Sequence, residues 1–148
     1  MRKILPTLHI LVKLGMLLAV LMLVPAAVSF YFHDGAETVF SATGLITFSL
    51  CLPVWFFTRS HHHELRPRDG FALVTMLWLA FALIAAMPFY FYFEEMSFTD
   101  AFFEAISGLT TTGATIMSGL DTLAPSLNFW RHMLNWLGGM GIIVLAVA

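Results

Sequence analysis

The sequence predicts an all-α integral membrane fold. It comprises a leading transmembrane helix hairpin, a spanning helix, a short re-entrant helix with a polar loop, and a last hydrophobic helix. Three observations carry this. Hydrophobic residues make up 59% of the 148 residues and charged residues only 11%, where a soluble domain carries about 25% charged. Apolar runs of roughly twenty residues, the length that crosses a hydrocarbon core, alternate with short polar islands. Finally, one run of small hydroxyl-bearing residues, Gly108 to Thr115, follows a helix too short to span.

Met1 to Lys13 is a basic start, with Arg2, Lys3, His9 and Lys13. Leu14 to Phe32 is uncharged and long enough to span, and Pro25 is placed to kink it. The basic start, the apolar run and Ala27-Val28-Ser29 also outline a signal peptide. The run is long for a signal, and further spans follow it, so retention is expected. His33 to Thr38 is a tight connection whose Asp34-Gly35 pair suits a turn. Val39 to Phe57 is the second span, with Pro53 near its end and Trp55, Phe56 and Phe57 as an interfacial aromatic belt. The lone Cys51 excludes an intrachain disulfide and fits a buried thiol.

Thr58 to Asp69 is the most polar stretch. Its three adjacent histidines, His61, His62 and His63, do not share a helix face and have no cysteine nearby, so a solvated loop is favoured over a metal site. Gly70 to Phe93 is the third span, ending in Pro88 and the aromatic run Phe89 to Phe93, and Glu94 and Glu95 mark the exit to water. Ile116 to Leu127 is a return limb, and Asn128 to Ala148 the fourth hydrophobic segment. Arg2, Lys3, Lys13, Arg59, Arg66 and Arg68 fall on one side of these spans. Asp34, Glu37, Glu94, Glu95, Asp100, Glu104 and Asp121 fall on the other, where Arg131 is the only basic residue. Positive residues concentrate on the cytoplasmic side. The amino terminus is therefore expected in the cytoplasm and the polar loop dips in from outside.

The short helix is Thr99 to Leu109. Ser97 or Thr99 can cap its start, and Asp100 lies where the helix dipole favours a carboxylate. It is roughly 16 Å long at 1.5 Å per residue, about half a hydrocarbon core. Non-helical backbone at membrane depth is tolerated where protein buries it or where it lines a water-filled path. Threonine hydroxyls and backbone carbonyls suit a dehydrating monovalent cation, and a glycine lets the backbone aim carbonyls at an axis. The bland alternative is a polar extracellular turn between two helices.

Three motifs then weigh together: Asp100-Ala101-Phe102-Phe103-Glu104, Ser107-Gly108-Leu109-Thr110-Thr111-Thr112-Gly113-Ala114-Thr115, and Trp136-Leu137-Gly138-Gly139-Met140-Gly141-Ile142-Ile143-Val144-Leu145-Ala146. They resemble the first pore repeat of the Trk-type bacterial potassium uptake transporters, membrane subunits of the Trk/Ktr/HKT superfamily. The resemblance covers essentially the whole chain. It implies a pseudo-fourfold cation pore built from four helix–pore loop–helix repeats, one of which is present here. Residues 1–66 would be the leading two-helix hairpin with its cytoplasmic loop, and 67–148 the first repeat. Potassium is then the transported ion, held by backbone carbonyls of Thr111, Thr112 and Gly113, with support from Thr110, Ala114 and Glu104. In that superfamily a serine at the Gly113 position is associated with sodium preference, so glycine argues for potassium.

The resemblance further implies the cytoplasmic (inner) membrane, a homodimer of the full transporter, and a cytoplasmic nucleotide-binding regulatory subunit, since nothing in this chain resembles a nucleotide-binding loop. Membrane lipid and the remaining repeats complete the partners. No cofactor, nucleic-acid partner or enzymatic activity is expected, because no His, Asp, Ser or Cys constellation sits at mid-membrane depth. Glu104 has two readings, direct ion binding or hydrogen bonding to the loop behind the filter. Arg131 is expected to snorkel to the outer interface rather than tune the pore. Gly138, Gly139 and Gly141 are expected to serve close helix packing rather than a hinge. One pore loop out of four, and an end inside an apolar helix, lead us to expect the amino-terminal part of a longer protein. The alternatives are a small subunit assembling as a homotetramer and a non-conducting protein docked on a transporter.

Overall fold

A computed structural model describes residues 5–59 and 67–147, and every regular element among them is helical. The order is α1 (Leu5–Leu21), α2 (Leu23–Phe32), α3 (Glu37–Thr58), α4 (Pro67–Tyr92), α5 (Phe98–Leu109) and α6 (Pro125–Val147), with a 3₁₀ turn at Leu120–Thr122. Among the described residues, three stretches are long and apolar enough to cross a membrane: Thr7–Phe32, Glu37–Thr58 and Leu73–Tyr92. The three histidines at 61–63 lie outside the described residues.

The first helix starts earlier than expected, at Leu5 rather than Leu14. Lys13 does not end it, because its side chain is exposed and a lysine stem can lie along an apolar face with its charge directed outward. His9 is buried and reaches the Thr58 hydroxyl on α3 at 2.9 Å. That hydroxyl donates to the Val54 carbonyl at 2.8 Å, which leaves the histidine Nδ1 as the donor between the helices. The kink expected at Pro25 appears as the break between α1 and α2 at Met22. A proline has no N–H for the carbonyl four residues earlier, here Leu21.

Packing uses small side chains. Lipid tails are as apolar as leucine, so helix association in a bilayer rests on close van der Waals contact rather than on hydrophobic transfer. Ala82, Ala85, Ala86, Ala101 and Ala105 are buried, and they let α4, α5 and α6 approach. Into the space they leave, α6 inserts Trp130, which is fully buried. Its indole N–H donates to the Ala85 carbonyl at 3.1 Å, and its ring meets Phe40 of α3 edge-on at 5.8 Å between centroids.

The turn between α2 and α3 does more than reverse the chain. His33 and Gly35 take left-handed angles, φ 55° and 81°, which raises Asp34 toward its neighbours. Its carboxylate accepts from the Ser29 hydroxyl, from the Ala36 amide at 3.2 Å and from the Ser126 amide, in the first turn of α6, at 2.9 Å. Its carbonyl accepts from the Tyr92 hydroxyl at 3.0 Å. One residue thus joins α2, α4 and α6 and the start of α3 at one end of the bundle.

Burial alone would raise the Asp34 pKa, but the hydrogen bonds from Ser29, Ser126 and Ala36 outweigh it and hold the carboxyl below its ordinary 3.8. A depressed carboxylate adds stability that is fully present above the unfolded-state value and is lost as pH falls through the folded one. Melting temperature of the detergent-purified protein should therefore drop more steeply below pH 4 than that of Asp34→Asn, whose profile should be flatter there. Parallel profiles would show that Asp34 contributes nothing titratable to the fold.

Candidate functional site

The site is the loop that follows α5. Ser97 caps the helix: its Oγ accepts from the Asp100 amide at 3.2 Å and donates to the Asp100 carboxylate at 2.7 Å. This settles the start between the two expected caps, with Asp100 in the first turn. The other end closes by a Schellman arrangement. The Thr112 amide donates to the Ser107 carbonyl at 3.0 Å and the Thr111 amide to the Gly108 carbonyl at 2.9 Å. These are the six-to-one and five-to-two bonds of that motif, whose left-handed residue is usually glycine. Here it is Thr111, at φ 57°. A β-branched residue is a poor occupant of that region, at a cost of about 1 kcal/mol. Gly113 follows at φ 73° with open space around its Cα.

Two left-handed residues, Thr111 and Gly113, flank Thr112 and turn the chain back on the helix end. Thr110, Thr111, Thr112, Gly113 and Ala114 are all exposed. The Thr110 hydroxyl donates to the Ile106 carbonyl at 2.8 Å and lies 2.8 Å from that of Thr112. The Ala114 carbonyl is tied down by the Ser107 hydroxyl at 2.6 Å. Among the described residues no donor reaches the carbonyls of Thr111, Thr112 or Gly113. Three consecutive main-chain oxygens are therefore free beside the carboxyl end of α5, where the helix dipole adds partial negative charge.

Behind the loop lies Glu104. Its side chain is 2% exposed. One oxygen accepts from the Thr115 hydroxyl at 2.5 Å, the Ile116 amide at 2.7 Å and the Met117 amide at 3.3 Å. The other meets Arg131 Nε of α6 at 3.3 Å. Of the two expectations for Glu104, the structure shows the hydrogen-bonded one, and its oxygens face the loop's return limb. Arg131 differs from expectation: it is largely buried, with 15% of its side chain exposed. The cause is the carboxylate, since a buried charge needs a partner.

The glycines of α6 bear on the same place. A Cβ on Gly138 would sit 2.0 Å from the Leu109 carbonyl oxygen, so α6 crosses the end of α5 against bare backbone. Gly108 answers from α5, where a Cβ would fall 3.0 Å from Leu134 Cβ. At Gly139 the nearest atom would be Thr111 Cγ2 at 4.0 Å, and at Gly141 Trp78 at 3.7 Å, both ordinary contacts. Gly138 is thus a packing requirement.

This architecture, a half-length helix ending in a loop of free carbonyls and braced by a following helix, defines a re-entrant pore-loop membrane protein. Comparison with known proteins makes it particular. The TrkH family, described as cation transport proteins, matches residues 36–148. The chain is 46% identical over 138 residues to the Trk system potassium uptake protein TrkH of Vibrio parahaemolyticus, covering 90% of this chain and 28% of that protein. It is 44% identical over 128 residues to TrkH of Escherichia coli K12, covering 86% and 26%. The crystal structure of the potassium transporter TrkH from Vibrio parahaemolyticus superposes with a TM-score of 0.90 at 44% identity, over 99% of this chain and 31% of that one. The chain belongs to the TrkH family of membrane cation transport proteins. It spans less than a third of the length of these relatives.

Glu104→Ala should strand Arg131 and the three donors of the return limb. Breaking a buried pair costs about 3–5 kcal/mol, so the melting temperature of the purified protein should fall. An unchanged value would mean that the limb stands without it. Gly138→Ala should destabilise by about 1–3 kcal/mol through overpacking, whereas Gly139→Ala should be tolerated. Equal losses at both positions would show that the close contact with Leu109 is not the constraint.

Proposed function

We propose that this chain supplies the first pore loop of a potassium uptake pathway, in which Thr111, Thr112 and Gly113 present backbone carbonyls to the dehydrated ion. The observation that carries the reading is the set of three free carbonyls on an exposed loop held from behind by Glu104. The naming of the relatives as potassium uptake proteins supports it. Thr110 and Ala114 brace the two ends of the run, and Glu104 fixes its return. The ion moves inward down its electrochemical gradient, and 100 mV across the membrane is worth about 2.3 kcal/mol per charge.

The wider assignment follows the same family. Residues 1–66 act as a leading hairpin with its loop, and 67–148 as the first helix–pore loop–helix repeat. The remaining quasi-equivalent loops come from other repeats of the transporter. The protein lies in the cytoplasmic membrane with its amino terminus inside, works as a homodimer, and answers to a cytoplasmic nucleotide-binding partner. An acidic outer mouth concentrates cations ahead of the filter.

Gly113→Asp in the intact transporter should abolish rubidium uptake by cells that lack other potassium uptake routes. The aspartate places a side chain at a left-handed position and a carboxylate beside the free carbonyls. Uptake at the parental rate would remove the filter assignment.

A further inference from the structure

The outer end of α6 is held from the leading hairpin. The Asp34 carboxylate accepts the Ser126 amide at 2.9 Å, and Ser126 is fully buried. Asp34 is itself fixed by Ser29 and by Tyr92 of α4. Ser126 and Arg131 lie five residues apart on one continuous helix, about 7.5 Å along its axis. Arg131 meets Glu104 at 3.3 Å, and Glu104 holds Thr115, Ile116 and Met117 of the loop's return limb. Every link is a directional bond or a rigid helical turn. Asp34 itself precedes residues 36–148, the stretch that the family model matches, whereas Ser126 lies within it.

We propose that Asp34 is a positioning residue for the filter, acting through α6. By capping the amino end of that helix it sets the axial placement of Arg131, and Arg131 sets the side of the loop on which Glu104 pulls. Asparagine cannot replace it. The carboxylate uses one oxygen for Ser29 and Ala36 and the other for Ser126, and an amide offers a single acceptor and turns an N–H toward one of those donors. The anionic charge at the helix start is lost as well. α6 then loses the tie at this end while Trp130 and Gly138 still hold its middle, so its first turns and Arg131 settle differently against α5, and the limb carrying Thr115 shifts with them. The three carbonyls lose their mutual placement, which selection between ions of similar charge depends on.

This rests on the filter reading above, and the experiment separates the two. Rubidium uptake and its inhibition by sodium are measured for the intact transporter, with the amount of protein in the membrane quantified. Asp34→Asn should lower the preference for rubidium over sodium by about threefold per molecule, of the size that coupled mutations at a distance produce. Asp34→Glu should restore much of it. Tyr92→Phe, which removes only the hydroxyl on the Asp34 carbonyl, should move the preference in the same direction by less. In an Arg131→Met background, Asp34→Asn should add no further loss, since both act on one link. Unchanged preference in Asp34→Asn, with only the protein amount reduced, would overturn the proposal. So would fully additive effects of the two substitutions, or, where Asp34→Asn does not accumulate, unchanged preference in Tyr92→Phe. If Gly113→Asp leaves uptake intact, it is the filter reading that falls.

Discussion

The structure depends on one buried carboxylate. A loop without regular structure at membrane depth must have its polar groups satisfied by protein or by whatever passes along it. Glu104 meets that demand on one side, taking the Thr115 hydroxyl and the Ile116 and Met117 amides on one oxygen. The end of α5 meets another part, its last carbonyls receiving the amides of Thr110, Thr111, Thr112 and Gly113. Among the described residues the carbonyls of Thr111, Thr112 and Gly113, and that of Thr110 before them, receive no donor. At the turn itself the amides of Thr111, Thr112 and Gly113 are consumed within the protein while their carbonyls are left over, which is the imbalance a cation path requires. Arg131 completes the arrangement by neutralising the carboxylate from behind, so the brace adds no net charge of its own to the loop.

A carboxylate can act as a brace only if α5 and α6 hold their spacing. In a bilayer that spacing comes from contact between small residues. Gly138 against the Leu109 carbonyl, and Gly108 against Leu134, bring the two helices together where the loop begins. Trp130 secures the same helix one residue before Arg131, filling the space above Ala85 and meeting Phe40. The left-handed Thr111 belongs to the same logic. Glycine would cap α5 at lower cost, yet threonine places a methyl beside Gly139 and stiffens the first of the three free carbonyls.

Much of this was legible in the sequence because it is local or periodic. The spans are continuous apolar runs. The start of α5 follows from Ser97 and Asp100, and the candidate filter from a hydroxyl-rich run after a half-length helix. The sequence pattern puts the first span at Leu14 because Lys13 reads as a boundary, whereas an exposed lysine on an outward-facing helix surface is tolerated and α1 starts at Leu5. The two readings of Glu104 could not be separated, since its partners lie eleven to twenty-seven residues on, in a loop and a later helix. Arg131 looked like an interfacial cation because its partner was invisible. Asp34 read only as a turn residue. Its bond to Ser126 spans 92 positions, and no spacing rule reaches that far.

The hairpin therefore has a part beyond adding two spans. Its turn carries two left-handed residues: Gly35, which adopts that region freely, and His33, which ends α2 as a left-handed cap at a small backbone cost. The cost is offset by what the turn presents: a carboxylate with its pKa held low by three donors, one of them the amino end of α6. Phe40, from the next turn of α3, meets Trp130 on the same helix. A polar bond at the end of α6 and an aromatic contact one turn further in fix both the axial and the rotational setting of that helix. Arg131 follows Trp130 directly, so the rotation that seats the indole against Ala85 also presents the guanidinium to Glu104. The placement of the loop is in this sense decided by residues that the pore loop itself does not contain.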